Sequence, residues 1–238
     1  MTEETKEEFY IAFRLTKKQH LDQWDSPRAQ IEDLSFNLRE KFQVDRLLNK
    51  KHFVPHVTFV PSFYTNDIEN VINDLWSALR VRSFTENLQF ELAGIAQLEY
   101  DDKEALVVVA NSNHIMDYMR RKMLTVVMDG SDSHSLGNLS KSYLDWSPHI
   151  KLVDDYYKGS LKNIANVARS YSSEKNLFPR IEIVSRITIM KKENKNNFIY
   201  KEFDFMRKEW LDRHRSLRND LWKENAEYLK PFYEKLND

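Results

Sequence analysis

Two histidines in matching surroundings are the residues of this sequence best suited to do chemistry. The stretch 55–60 reads PHVTFV, and the stretch 148–153 reads PHIKLV, 93 residues further along the chain. An imidazole gains and loses a proton near neutral pH. Two imidazoles on opposite sides of one phosphodiester can therefore act as general base and general acid, and neither needs a metal ion. We predict that His56 and His149 form this pair.

The likeness between the two stretches continues without a gap into the residues that follow. Phe63-Tyr64 aligns with Tyr156-Tyr157, and Asn70-Val71 aligns with Asn163-Ile164. Each copy has the pattern of a strand followed by a helix. The sequence therefore predicts internal two-fold pseudo-symmetry, in which two equivalent strands bring their histidines to one cleft.

The alternation of side chains along a strand gives each histidine a partner. Residues i and i+2 of a strand project from the same face. Thr58 therefore lies beside His56 and Lys151 beside His149, while the apolar residues between them face the core. A hydroxyl can donate to a phosphoryl oxygen, and an ammonium group can stabilise the negative charge that develops there. We expect both side chains to bind substrate.

Four further residues are candidate substrate contacts: Arg14, Tyr64, Trp146 and Tyr157. Arg14, on the first predicted strand, is a candidate phosphate contact. The aromatic rings could stack on the bases of a bound nucleotide. Tyr64 and Tyr157 follow the histidines at equal distances, and their alternative role is symmetric packing at a strand-to-helix turn. The alternative role of Trp146 is to cover the core.

Other kinds of reactive site are disfavoured. His52 and His56 have the spacing of two zinc ligands on a helix, but Pro55 and its β-prone neighbours argue against a helix there. The chain has no cysteine, which excludes thiol nucleophiles and Cys-ligated zinc. It has only 4 Gly and no GxGxxG pattern, which excludes a Gly-rich phosphate loop. We expect no metal and no cofactor.

Hydrophobic periodicity predicts the elements that position these residues. Strands are predicted at about 9–15, 52–60, 88–96, 105–110, 181–190 and 198–205, and at the second histidine motif. Helices are predicted at about 19–42, interrupted at Pro27, and at 67–81, 114–127, 160–171 and 207–238. The Gly- and Ser-rich run 129–142 is predicted as a loop. Hairpins mixed with helices favour an α+β fold over a doubly wound parallel sheet.

These motifs, in this order, resemble the two-histidine (2H) phosphoesterase superfamily, which includes LigT-like RNA 2',3'-cyclic phosphodiesterases. The resemblance covers about 9–205. It includes the opening strand FYIAFRL at 9–15 and the closing hairpin of VSRITIM at 184–190 with YKEFDF at 200–205. It implies a bilobal, pseudo-two-fold domain at 1–206, with two antiparallel sheets flanking a central cleft and helices outside. A C-terminal helical extension would occupy 207–238.

The second motif departs from the family pattern, which usually has Thr or Ser where this chain has Lys151. An ammonium group binds phosphate as a point charge, and it disfavours the protonated form of the neighbouring His149. Two functions therefore stay open. One is a metal-independent phosphodiesterase acting on a 2',3'-cyclic phosphate, a 2'-5' oligonucleotide or a cyclic oligonucleotide signal. The other is a catalytically degenerate protein that binds and sequesters a cyclic nucleotide.

Composition limits the expected partners. The 36 Lys and Arg residues nearly balance the 37 Asp and Glu residues, so the chain has no general basic field for long duplex nucleic acid. A nucleotide or short oligonucleotide remains compatible with this balance. The acidic N-terminus lacks a signal-peptide core, and no window is apolar enough to span a bilayer. We expect a soluble cytoplasmic protein without a membrane partner, with a possible homodimer through the C-terminal helix.

Overall fold

A computed structural model describes the chain at residues 6–15, 26–42, 55–80, 88–100, 103–157, 160–193 and 196–213. The strands in these ranges are β1 Glu7–Arg14, β2 His56–Thr65, β3 Gln89–Tyr100, β4 Lys103–Ser112, β5 His149–Tyr157, β6 Arg180–Ile183, β7 Arg186–Glu193, β8 Asn196–Asp204 and β9 Glu209–Asp212. The helices are α1 Pro27–Phe42, α2 Ile68–Leu79, α3 His114–Gly130, α4 Ser133–Leu144 and α5 Lys162–Glu174. None of these helices is long and apolar enough to cross a membrane.

The strands form two antiparallel sheets. The first has the order β2-β1-β7-β8-β9, and the second has the order β5-β4-β3-β6. The two histidine strands, β2 and β5, are edge strands of different sheets, and they lie beside each other. The predicted α+β fold with two antiparallel sheets is therefore confirmed.

The two halves repeat the same strand pairing residue for residue. β2 pairs with β1 in the register in which β5 pairs with β4. The matching pairs are Arg14–His56 with Val109–His149, Ala12–Thr58 with Val107–Lys151, Ile11–Val60 with Leu106–Val153, and Phe9–Phe63 with Glu104–Tyr156. The backbone hydrogen bond before each motif also recurs. The Leu15 N–H donates to the Pro55 carbonyl, and the Ala110 N–H donates to the Pro148 carbonyl.

The repeat extends to the irregularities of the backbone. In β2 an extra residue is inserted between Thr58 and Val60, and in β5 an extra residue is inserted between Lys151 and Val153. Such a β-bulge places two residues opposite one and shifts the alternation of side chains. Each motif is therefore followed by two consecutive buried residues, which are Phe59-Val60 in β2 and Leu152-Val153 in β5.

One hydrophobic core joins the sheets and the helices. The Phe90 ring of β3 lies 5.8 Å from the Phe13 ring and 5.7 Å from the Phe59 ring, both in the other sheet. The helices also follow the pseudo-symmetry, since α2 packs on α3 and its counterpart α5 packs on α1. The core thus occupies the same face of both sheets and leaves the opposite face to the motif histidines.

Helix α1 begins at Pro27, in agreement with the predicted interruption there. Proline suits the first helical position because its missing N–H would have no partner within the helix. The Ser26 hydroxyl caps this end by accepting from the Ala29 N–H at 3.1 Å. The predicted helical segment before residue 26 lies outside the described residues.

The predicted loop at 129–142 is wrong, because most of it forms helix α4. The side chain of Asp132 accepts from the Ser135 N–H and caps the helix. Leu139 is fully buried on its inner face. Tertiary burial and a good cap therefore outweigh the low helix propensity of Gly and Ser.

Two predictions near the C-terminus are also corrected. The strand predicted at 181–190 is two strands, because the chain leaves β6 in one sheet and enters β7 in the other. Residues 209–212 form β9 on the edge of the first sheet, where a helix was predicted. Leu211 is buried there, and the Trp210 ring lies 5.4 Å from the Phe203 ring. The rest of the tail, from residue 214 onward, lies outside the described residues.

Candidate active site

His56 and His149 are the first residues of β2 and β5, at the adjoining edges of the two sheets. Both side chains are half-buried. The residues that follow them, Val57 and Ile150, are fully buried and anchor the strands to the core. Because strand side chains alternate, both imidazoles emerge on the face opposite the core. The pseudo-symmetry thus places them in equivalent positions on adjacent strands.

One hydrogen bond sets the orientation of His149. Its Nδ1 atom lies 2.7 Å from the carbonyl oxygen of Ser147. A carbonyl oxygen can only accept, so Nδ1 is the nitrogen that carries the proton and donates. This bond leaves Nε2 as the nitrogen through which His149 can exchange a proton with a substrate.

The surroundings of His56 include a tyrosine that the sequence analysis missed. The Tyr10 ring lies 5.7 Å from the imidazole, centroid to centroid, at an angle of 42°. Burial raises the pKa of the Tyr10 hydroxyl to about 12. Tyr10 therefore stays neutral at physiological pH. The available sequence signal was the period of two on β1, which puts Tyr10, Ala12 and Arg14 on one face.

Arg14 is the cross-strand neighbour of His56, but its guanidinium extends in the other direction, over β7 to β8. Its Nε donates to Thr188 at 3.1 Å and to Glu202 at 2.9 Å, and a second nitrogen of the same guanidinium also donates to Glu202. Only 7% of Arg14 is exposed. The residue predicted as a phosphate contact thus lies in a buried ion pair within its own sheet.

This ion pair belongs to a larger buried network on the same face of the first sheet. Arg186 Nε lies 3.0 Å from a carboxylate oxygen of Asp204, and Arg186 Nη1 lies 3.7 Å from Glu202. The Thr188 hydroxyl donates to Glu202 at 2.6 Å. Two guanidinium groups and two carboxylates therefore balance each other, as buried charges require.

Trp146 packs against the protein itself. Its indole N–H donates to the Thr58 carbonyl at 3.1 Å, and its ring lies 5.8 Å from the Phe59 ring. The Arg120 guanidinium lies over the indole, 4.6 Å from the ring centroid, and donates to the Phe59 carbonyl. These two side chains satisfy carbonyls at the bulge of the edge strand β2. The placement matches the alternative role of Trp146 as a cover over the core.

The remaining predicted contacts lie at different distances from the histidines. Lys151 is exposed, two residues after His149 on the same strand. Tyr64 lies at the far end of β2, about 25 Å along the strand from His56. Its N–H donates to the Ser135 hydroxyl near the start of α4. The structure does not bring Tyr64 to His56, and the side chain of Tyr157 lies outside the described residues.

No family model and no curated protein matches the sequence. Among solved structures, the chain is similar to E. coli LigT complexed with 3'-AMP, at 11% identity and a TM-score of 0.45, with 84% of this chain and 97% of that chain covered. It is also similar to Kluyveromyces marxianus Usb1 with uridine monophosphate, at 13% identity and a TM-score of 0.39, with 81% of this chain and 96% of that chain covered.

Proposed function

We propose that this protein is a metal-independent phosphodiesterase that hydrolyses a nucleotide phosphodiester by two-histidine acid–base catalysis. The observation that carries the proposal is the equivalence of His56 and His149. They occupy the same register position in two strands with the same pairing and the same bulge. Both imidazoles lie on the face opposite the core, so neither strand pairing nor core packing requires a histidine at either position.

The chemistry follows from two imidazoles on either side of one phosphate. One takes a proton from water or from a ribose hydroxyl, and the other gives a proton to the leaving oxygen. The hydrogen bond from His149 Nδ1 to the Ser147 carbonyl supports this role, because it turns Nε2 toward the exchange. The Thr58 hydroxyl and the Lys151 ammonium would stabilise the negative charge on the phosphoryl oxygens. The pseudo-symmetry permits either substrate direction.

The substrate class that we propose follows from this chemistry. A ribose hydroxyl close to the phosphodiester supplies either an internal nucleophile or a leaving group. Suitable substrates are nucleoside 2',3'-cyclic phosphates, 2'-5' oligonucleotides and cyclic oligonucleotides. The net charge of −1 favours compact ligands of this kind over long nucleic acid.

A turnover assay in EDTA tests the proposal. The substrate panel contains nucleoside 2',3'-cyclic phosphates, 2'-5' oligoadenylate, and cyclic di- and trinucleotides. We expect one class to be cleaved in EDTA at the rate seen without it. Cleavage that EDTA abolishes would contradict the metal-independent mechanism. Tight binding that returns every ligand unchanged would replace catalysis with sequestration.

Sequestration is the second candidate function, and Lys151 is the observation that favours it. An exposed ammonium occupies the position equivalent to the compact hydroxyl of Thr58. For a phosphodiesterase, we expect Lys151→Thr to change kcat/KM by no more than about tenfold, because one donor replaces another at about 1 kcal/mol of hydrogen bonding.

The matched control for this change is Lys162→Thr on the exposed face of α5. We expect no change in kcat/KM from that variant. If Lys151→Thr instead created turnover in an inactive protein, or raised it by several orders of magnitude, the natural chain would be a binder.

A further inference from the structure

We infer that Tyr10 is a positioning residue that holds the imidazole of His56 in its working orientation. This inference rests on the proposed function, in which His56 exchanges a proton with the substrate. Tyr10 lies on β1 and His56 on the neighbouring strand β2, and their rings are 5.7 Å apart on the face opposite the core. At this separation the tyrosine ring restricts the positions open to the imidazole.

The contact depends on a small residue between the two rings. Arg14 pairs with His56 and Ala12 pairs with Thr58, so Tyr10 lies two residues further along β1 from Ala12. The Ala12 side chain is a single methyl group. The guanidinium of Arg14 is held over β8 by Glu202. No bulky side chain of β1 therefore separates the Tyr10 ring from the imidazole.

Tyr10 is itself firmly held. It is only 6% exposed and packs with Met190, its cross-strand partner on β7. The Lys192 ammonium lies 5.8 Å from the centroid of the ring. That ammonium donates at 2.6 Å to Glu8 and at 2.6 Å to Ser62, which bracket the tyrosine on β1 and β2. Because the Tyr10 ring is fixed from several sides, it limits where the neighbouring imidazole can lie.

Tyr10 has no aromatic counterpart in the second half of the molecule. The residue equivalent to Tyr10 in the matched registers is Ala105, which offers no ring to His149. His149 donates through Nδ1 to the Ser147 carbonyl. The fold therefore does not require an aromatic residue at this position of the strand. The asymmetry indicates that the tyrosine serves the histidine of its own half.

Two substitutions at Tyr10 separate the ring from the hydroxyl. Tyr10→Phe keeps the ring, and we expect kcat within about twofold of the natural protein. Tyr10→Leu removes the ring, and we expect kcat to fall by about 10- to 100-fold with little change in KM, because a misplaced catalytic group slows the reaction without weakening binding. A loss of kcat in Tyr10→Phe as large as in Tyr10→Leu would assign the effect to the hydroxyl and overturn the inference.

A readout independent of activity comes from the proton NMR signals of the imidazoles. Tyr10→Leu should shift the ring protons of His56, because it removes the neighbouring aromatic ring, and should leave those of His149 in place. The matched control is Tyr171→Leu, which removes a half-buried tyrosine between α5 and α1. We expect that control to lower the melting temperature without changing kcat or the His56 signals.

The His56→Ala variant distinguishes a failure of this inference from a failure of the proposed function. If His56→Ala abolishes turnover but Tyr10→Leu leaves kcat unchanged, the histidine is catalytic and Tyr10 does not position it. If His56→Ala leaves turnover unchanged, the proposed function fails, and the inference fails with it.

Discussion

Replacing either His56 or His149 with alanine should lower kcat/KM by about 10²- to 10⁴-fold, the usual contribution of one general acid or base. Both changes should leave the melting temperature nearly unchanged, because each imidazole is half-buried on the face opposite the core. Steady-state kinetics on the cleaved substrate, together with thermal unfolding, would measure both effects.

The double variant adds a sharper test of the shared mechanism. Groups that act on one reaction as a unit are strongly non-additive. The double variant should therefore be hardly slower than the slower single variant. His114→Ala is the matched control, because that histidine is exposed at the start of α3 and belongs to neither motif strand, and the kcat/KM of this variant should not change. A large loss in only one of the two motif variants would refute paired catalysis.

Replacing Glu202 with glutamine should lower the free energy of unfolding by about 3–5 kcal/mol, the usual cost of breaking a buried ion pair on one side. Glu202 accepts from Arg14 and Thr188 and lies 3.7 Å from Arg186, and it is only 1% exposed. The neutral amide would leave two buried guanidinium groups to share one carboxylate, that of Asp204. Urea unfolding followed by circular dichroism would measure the change.

Glu69→Gln is the matched control for this charge removal. Glu69 pairs with Lys201 at 2.7 Å, but about half of its side chain is exposed. Water screens such a pair, so we expect a loss of no more than about 1 kcal/mol. Equal losses in the two variants would show that burial of the Arg14–Glu202 network has no special energetic weight.

The internal repeat is the part of the fold that sequence reasoning predicted best. Period-two alternation around His56 and His149 predicted two equivalent strands with buried Val57 and Ile150, and the structure has both. This prediction succeeded because the alternation of side chains along a strand depends only on neighbouring residues. An equally local effect, that of proline on a helix, predicted the interruption at Pro27, where α1 begins.

Long-range pairings were beyond the reach of the sequence. Arg14 and Glu202 are 188 residues apart, and the chain offers many other carboxylates to an arginine on the first strand. The register of β1 against β7 decides which one is reached. The contact of Tyr10 with His56 likewise depends on how β1 and β2 are aligned. The division of 181–190 between two sheets depends on where those sheets end in space.

The matched bulges determine how each motif strand can change in length. Deleting Phe59 would remove the bulge that follows Thr58 while Val60 and Phe63 stayed anchored in the core. Thr58 would then directly precede Val60, so His56 and Thr58 would keep facing away from the core and Val57 would keep facing it. Leu152 has the same role in β5. Loss of a single codon at either bulge therefore preserves the facing of the histidine, whereas loss of Val57 or of Ile150 would turn the histidine before it into the core.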